Sequence, residues 1–153
     1  MASSVKTALE STVCLHEFPN YQIDVFILVL EDDGSVLSSA IVAAGLAFVD
    51  ASFPVYDLIS STTVALKNGL LLVDPSSSEE EDVNNNNTLQ NHGTIIVSSL
   101  KSMDQVSQIL FNGFLDMNLI TEAKKTILEL NKSQTKYLKK VISSKMSKEF
   151  IET

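Results

Sequence analysis

Between Tyr21 and Leu58 the chain reads YQIDVFILVLEDDGSVLSSAIVAAGLAFVDASFPVYDL. Tyr21 to Leu30 is nearly continuously apolar, interrupted by Asp24. A short apolar run bounded by a turn signal predicts a strand with both faces buried. The turn is acidic and tight, Asp32-Asp33-Gly34. A helix is predicted next, Ser35 to Ala51, with Ser35 as its N-cap. Ala40, Ala43, Ala44, Gly45 and Ala47 allow close approach to a sheet, while Ile41, Leu46 and Phe48 supply bulk. The stretch therefore predicts a strand, a turn and a helix packed straight back onto that strand.

The rest of the chain supplies sheet and one long helix. Ser4 to Val13 reads as a short helix or helix end, with Val5, Ala8 and Leu9 on one side, and Pro19 stops any helix in the connection that follows. Ile59 to Leu66 is β-branched and predicts a strand. Lys67-Asn68-Gly69 is a hairpin signal, with Leu70 to Val73 returning. Pro75 to Gly93 contains SSSEEEDVNNNN, which predicts a mobile loop. Thr94 to Leu100 and Val106 to Phe111 form a second strand pair. From Asn118 to about Met146, Ile120, Ala123, Ile127, Leu130, Tyr137, Val141 and Ile142 recur near a 3.6 period, with lysines mostly opposite. Sheet elements backed by helices make an α+β class.

A length of 153 residues suits one domain with one core. The single cysteine, Cys14, excludes an intrachain disulfide and fits a reducing compartment. No uncharged apolar run is long enough to span a bilayer, and MASSVKTALE lacks the charged-then-apolar pattern of a secretory signal. The net charge of −8 is uneven: residues 1–120 carry 15 acids and 3 lysines, residues 121–153 carry 4 acids and 8 lysines. Most of the chain would repel a phosphate backbone. The C-terminal lysines read as the solvated face of a helix. All 11 basic residues are lysine, so no arginine fork is available.

Several motifs follow in a definite order. Ile23 to Leu30 leads to Asp33-Gly34. Then come Ile41-Val42-Ala43-Ala44-Gly45-Leu46-Ala47 and Asp50-Ala51-Ser52-Phe53-Pro54, and finally Leu71-Leu72-Val73-Asp74-Pro75 with Glu79-Glu80. This ordered set resembles the RNase PH-like proteins, over about residues 8 to 146, and most of all a ring subunit of the eukaryotic RNA exosome. Leu15-His16 with Phe18-Pro19, and Val55-Tyr56-Asp57-Leu58, resemble its mRNA-transport-regulator type. The resemblance implies an RNase PH-like (ribosomal protein S5 domain 2-like) fold, of which the chain would be the C-terminal half. One partial domain, 1–153, is expected. It divides into 15–73 (strand, Ala-rich helix and hairpin), 75–93 (the acidic, Asn-rich loop) and 94–146 (strand pair and C-terminal helix).

Phosphorolysis requires a cation for phosphate and acids for proton transfer or Mg²⁺. Active members of the resembled family place an arginine in the turn after paired glycines. Here that position is Leu37, which cannot hold phosphate and reads as a first-turn helix residue. Asp74 matches the family's first carboxylate, and Glu80 stands near its second. The pair could bind Mg²⁺, or could be a turn-capping Asp74 with a solvated loop acid. Leu37, Asp74 and Glu80 are thus degenerate family positions, with no catalytic residue, cofactor or metal expected. Cys14 with His16 forms a C-x-H pair lacking further ligands, and His16 and His92 each read as surface histidines.

What the resemblance implies is a non-catalytic structural subunit of the exosome ring, supporting 3'-to-5' RNA processing and degradation, including rRNA maturation and mRNA decay. Its partners would be other RNase PH-like ring subunits, cap subunits and RNA in the assembled channel, with no membrane contact. Nucleus, nucleolus and cytoplasm are the expected locations. Two alternatives stay open: an active phosphate-dependent 3'-to-5' exoribonuclease, and a truncated half-domain that does not assemble.

Overall fold

A computed structural model of the chain describes residues 1–85 and 91–149. Strand β1, Ile59–Lys67, is its central element and is buried along nearly its whole length. Ile59, Thr62, Thr63 and Val64 supply the β-branched side chains that favour its extended form. Asn68 and Gly69 both take positive φ (51° and 79°), as the tight turn demands. That turn returns the chain as β2, Leu70–Val73. Strand β3, His92–Leu100, pairs with the other edge of β1, and β4, Gln105–Phe114, pairs with β3. The sheet is antiparallel throughout, in the order β2-β1-β3-β4, with a bulge between Ser98 and Ser99.

Helices cover both faces. Helix α4, Met117–Glu149, lies on one. Its Ala123 and Ile127 meet Val64, Leu66, Ile95 and Val97 in a buried aliphatic cluster. The same stripe continues as Asn131 and Thr135, both buried. Asn131 accepts from the Thr62 hydroxyl at 2.8 Å and donates to the Val97 carbonyl at 3.0 Å. Its amide nitrogen also reaches Ser99 Oγ at 2.9 Å. Thr135 bonds to Ser60 Oγ at 3.2 Å. These bonds fix the position of α4 on the sheet, because a slip along it would leave buried polar groups unpaired.

The opposite face receives α1, Ala2–Glu10, and α2, Val36–Asp50. Val5, Ala8, Leu9, Ala40, Ile41, Ala44, Phe48, Ile59 and Leu100 form the second cluster. A Cβ on Gly45 would stand 2.4 Å from Ile59 Cγ2, so glycine sets how closely α2 meets the sheet. Asp57, on the approach to β1, is buried and accepts from the Ser102 N–H and hydroxyl in the β3–β4 turn. Lys139 of α4 lies 3.3 Å from the same carboxylate. Burial opposes ionisation of Asp57, but the bonds from Ser102, Leu58 N–H and Lys139 outweigh it and hold its carboxyl below the usual range.

Three sequence expectations are corrected. Tyr21 to Leu30 is not a buried strand: it forms no ladder, and Tyr21, Phe26, Leu28 and Leu30 are exposed. Apolarity states a need for burial, but a strand also needs a backbone partner, and none of β1–β4 provides one. Pro75 to Gly93 is not wholly a loop. Ser77–Asn85 is helix α3, and β3 begins at His92. Glu79 receives the Ser76 N–H at 2.9 Å, acids occupy the first turn, and Val83 is fully buried as an anchor. Residues 86–90 of the expected loop lie outside the described residues. His92 is buried at the head of β3 beside α3, not a surface histidine.

Candidate functional site

The acidic turn delivers the chain to Gly34, whose φ is 91°. A Cβ there would fall 2.3 Å from the Pro75 carbonyl oxygen, so the turn presses directly on the β2–α3 connection. Ser35 follows at the N-cap of α2 with φ 53°. Its position agrees with the sequence reading, but its side chain does not cap the helix. The Ser35 hydroxyl donates to the Pro75 carbonyl at 3.3 Å. Its N–H donates to Glu80 Oε1 at 2.9 Å. Glu80 is therefore neither a solvated loop acid nor turned toward Asp74 as a ligand. It places a negative charge where the α2 dipole is positive.

Beside this junction a pocket of about 280 Å³ is lined by Ser38, Ser39, Ser61, Thr62, Val73, Asp74, Leu130 and Gln134. Four elements converge on it: the first turn of α2, the middle of β1, the end of β2 and one face of α4. Asp74, at φ 54°, donates its N–H to the Thr63 carbonyl at 3.0 Å and leaves its carboxylate exposed. It is the one charged group on the pocket wall.

Most of the pocket hydroxyls are engaged internally. Ser38 Oγ donates to the Ser35 carbonyl at 2.8 Å and accepts from Thr63 at 2.9 Å. Ser61 Oγ pairs with Ser98 Oγ at 2.9 Å, and Thr62 is committed to Asn131. Gln134 Oε1 accepts the Ser61 N–H at 3.2 Å. A phosphate entering here would meet no cation and an exposed carboxylate. Binding a dianion needs the reverse. A Mg²⁺ site built on Asp74 and Glu80 does not fit, since Glu80 caps α2.

Leu37 does not line this pocket. It is half-buried against the α1–α2 core cluster. The structure thus sets Asp74 on the pocket wall, engages Glu80 with the Ser35 N–H and turns Leu37 inward. Cys14 and His16 are also kept apart in character. Cys14 is buried, while exposed His16 stacks on Tyr56 with ring centroids 6.3 Å apart. Sequence reasoning missed the polar half of the α4 stripe. Its signal was present: Asn131 and Thr135 continue the four-residue spacing of Ala123 and Ile127.

The profile of the "3' exoribonuclease family, domain 1" matches residues 1–54. The "Exosome complex component RRP41-like" of Arabidopsis thaliana is 30% identical over 128 residues, covering 84% of this chain and 47% of that protein. The human "Exosome complex component MTR3" is 40% identical over 78 residues, 49% of this chain and 29% of that protein. Among solved structures, rice Rrp46 superposes with a TM-score of 0.77 at 20% identity, over 90% of this chain and 61% of that one. An archaeal exosome core gives 0.68 at 22% identity, over 90% and 62%. The chain spans about half or less of the length of the curated relatives it matches.

Proposed function

The chain has the RNase PH-like fold of exosome ring subunits, and from that premise we propose that it is a non-catalytic ring subunit of an RNA exosome. The observation that carries the non-catalytic part is the pocket at the start of α2. It holds a carboxylate and no cation, and the positive end of the helix is already taken by Glu80. Support for the exosome part is that the relatives are themselves exosome components.

In this reading the chain pairs with other RNase PH-type components and with cap subunits. It supports 3'-to-5' RNA processing and decay carried out by a nuclease on other chains. The net charge of −12 over residues 1–120 leaves little positive field, so the assembled partners supply the attraction for RNA. Nucleus, including nucleolus, and cytoplasm are the proposed locations, testable by imaging the tagged chain.

The biochemical test has two arms. The purified chain, given a single-stranded RNA, inorganic phosphate and Mg²⁺, is expected to release no nucleoside diphosphate. Release would establish the exoribonuclease alternative. Mixed with the remaining ring and cap subunits of its source, the chain is expected to co-elute with them stoichiometrically. Separate elution would favour a half-domain that does not assemble. Asp74→Ala in an assembled, phosphorolytically active complex is expected to leave the rate unchanged. A collapse would show that a partner's cation completes this pocket.

A further inference from the structure

Charge is divided unevenly between α4 and the rest of the chain. Residues 131–148 hold Lys132, Lys136, Lys139, Lys140, Lys145 and Lys148 and no acid, whereas residues 1–120 carry 15 acids and 3 lysines. On α4 the row of side chains that begins as Ala123, Ile127, Asn131 and Thr135 is buried against the sheet. Its next member, Lys139, is held by Asp57 at 3.3 Å and by Ser102 Oγ at 3.0 Å, and Lys145 is held by Asp50. These contacts fix which side of the helix's second half faces the protein.

The outer side presents two adjacent rows. Lys132, Lys136 and Lys140 form one, all exposed. Four-residue steps set them about 6 Å apart along the axis. Among the described residues none of the three has an ion-pair partner. Ser133, Tyr137 and Val141 form the neighbouring row, with Tyr137 67% and Val141 45% exposed. Glu129 heads that row, one turn earlier. A purely apolar element cannot cover this face, because it would bury ammonium groups without partners. An occupant must bring acids.

The shape of the charge narrows the choice. A polynucleotide would run on past the helix over a surface that carries −12 across residues 1–120, and no arginine offers it a bidentate grip. A membrane surface needs a wider apolar face than Tyr137 and Val141 provide. A short helix ends where the lysines end. We propose that the second half of α4 is a docking surface for an acidic amphipathic helix of another protein. Glutamates at four-residue spacing meet Lys132, Lys136 and Lys140, and an apolar row beside them packs on Tyr137 and Val141. Exposed ion pairs are weak one by one, so the apolar row is needed for affinity while the charges select the partner. The partner carries no acid where it passes Glu129. The proposal does not depend on the ring assignment.

The test uses the whole chain and labelled alanine-based peptides of about 18 residues, long enough to hold a helix alone. Each has a leucine row flanked by glutamate, glutamine or lysine at four-residue spacing, and binding is read by fluorescence anisotropy. The Glu peptide is expected to bind at least about tenfold more tightly than the Gln peptide at low salt, and to lose most of that margin at high salt. The Lys peptide is expected not to bind. Replacing Lys132, Lys136 and Lys140 together with glutamine is expected to abolish the preference without changing the melting temperature. Tyr137→Ala is expected to weaken binding and leave its salt dependence unchanged. No binding of the Glu peptide, equal binding of the Glu and Gln peptides, or full binding by the triple variant overturns the proposal. So does tighter binding of an oligouridylate or of phosphatidylserine vesicles that is lost in the triple variant, which assigns the face to RNA or to a lipid surface.

Discussion

At the scale of single residues, an arginine cannot simply be installed at position 37, where the family resemblance expects one. Leu37 contributes to the α1–α2 core rather than to the pocket, so Leu37→Arg must either bury a charge or unpack the first turn of α2. The expected cost is about 1–2 kcal/mol, or a melting point lower by roughly 3–8 °C, with no phosphorolysis gained. Calorimetry and a nucleoside diphosphate release assay check both halves. Asp57 yields a pH prediction. Its folded carboxyl ionises below the unfolded value near ~3.9. Its contribution is therefore fully present above that value and disappears as pH falls through the folded one. Asp57→Asn is expected to cost about 1–2 kcal/mol at neutral pH, and the difference from wild type should shrink in urea titrations below about pH 3.5.

At the scale of elements, legibility followed the kind of signal. Ser35 to Ala51, the Asn68-Gly69 hairpin and the long final helix were readable, because small-residue spacing, turn chemistry and period each report local geometry. Tyr21 to Leu30 was misread because its pattern reports apolarity, whereas pairing depends on which backbone lies alongside. Helix α3 was hidden by its composition: one anchor, Val83, and one capping acid, Glu79, are enough to hold it within a run of serines, acids and asparagines. Leu37, picked out with Asp74 by motif order, lies outside the pocket; the place of Asp74 on its wall could be read that way. That Glu80 caps α2 could not, since it depends on a contact spanning 45 residues of chain. Val83→Ser is expected to free α3 from the sheet while β1 and β3 remain intact. Amides of residues 77–85 should then exchange at least about tenfold faster, with those of 59–67 little changed.

At the scale of the whole molecule, two features act on the same thermodynamic quantity. The layer between sheet and α4 is partly polar, with Ser60, Ser99, Asn131 and Thr135 buried beside the aliphatic cluster. Meanwhile Phe26, Leu28 and Leu30 are already in contact with water in the folded chain. Unfolding therefore exposes less new apolar surface and more polar surface than an ordinary core of this size would release. Apolar exposure raises heat capacity and polar exposure lowers it. The unfolding heat capacity of the isolated chain should fall below the usual ~12–15 cal/mol/K per residue, as scanning calorimetry at several pH values would measure. A small heat-capacity change flattens the stability curve. The isolated chain should be only modestly stable at its optimum temperature, yet lose that stability slowly on either side of it.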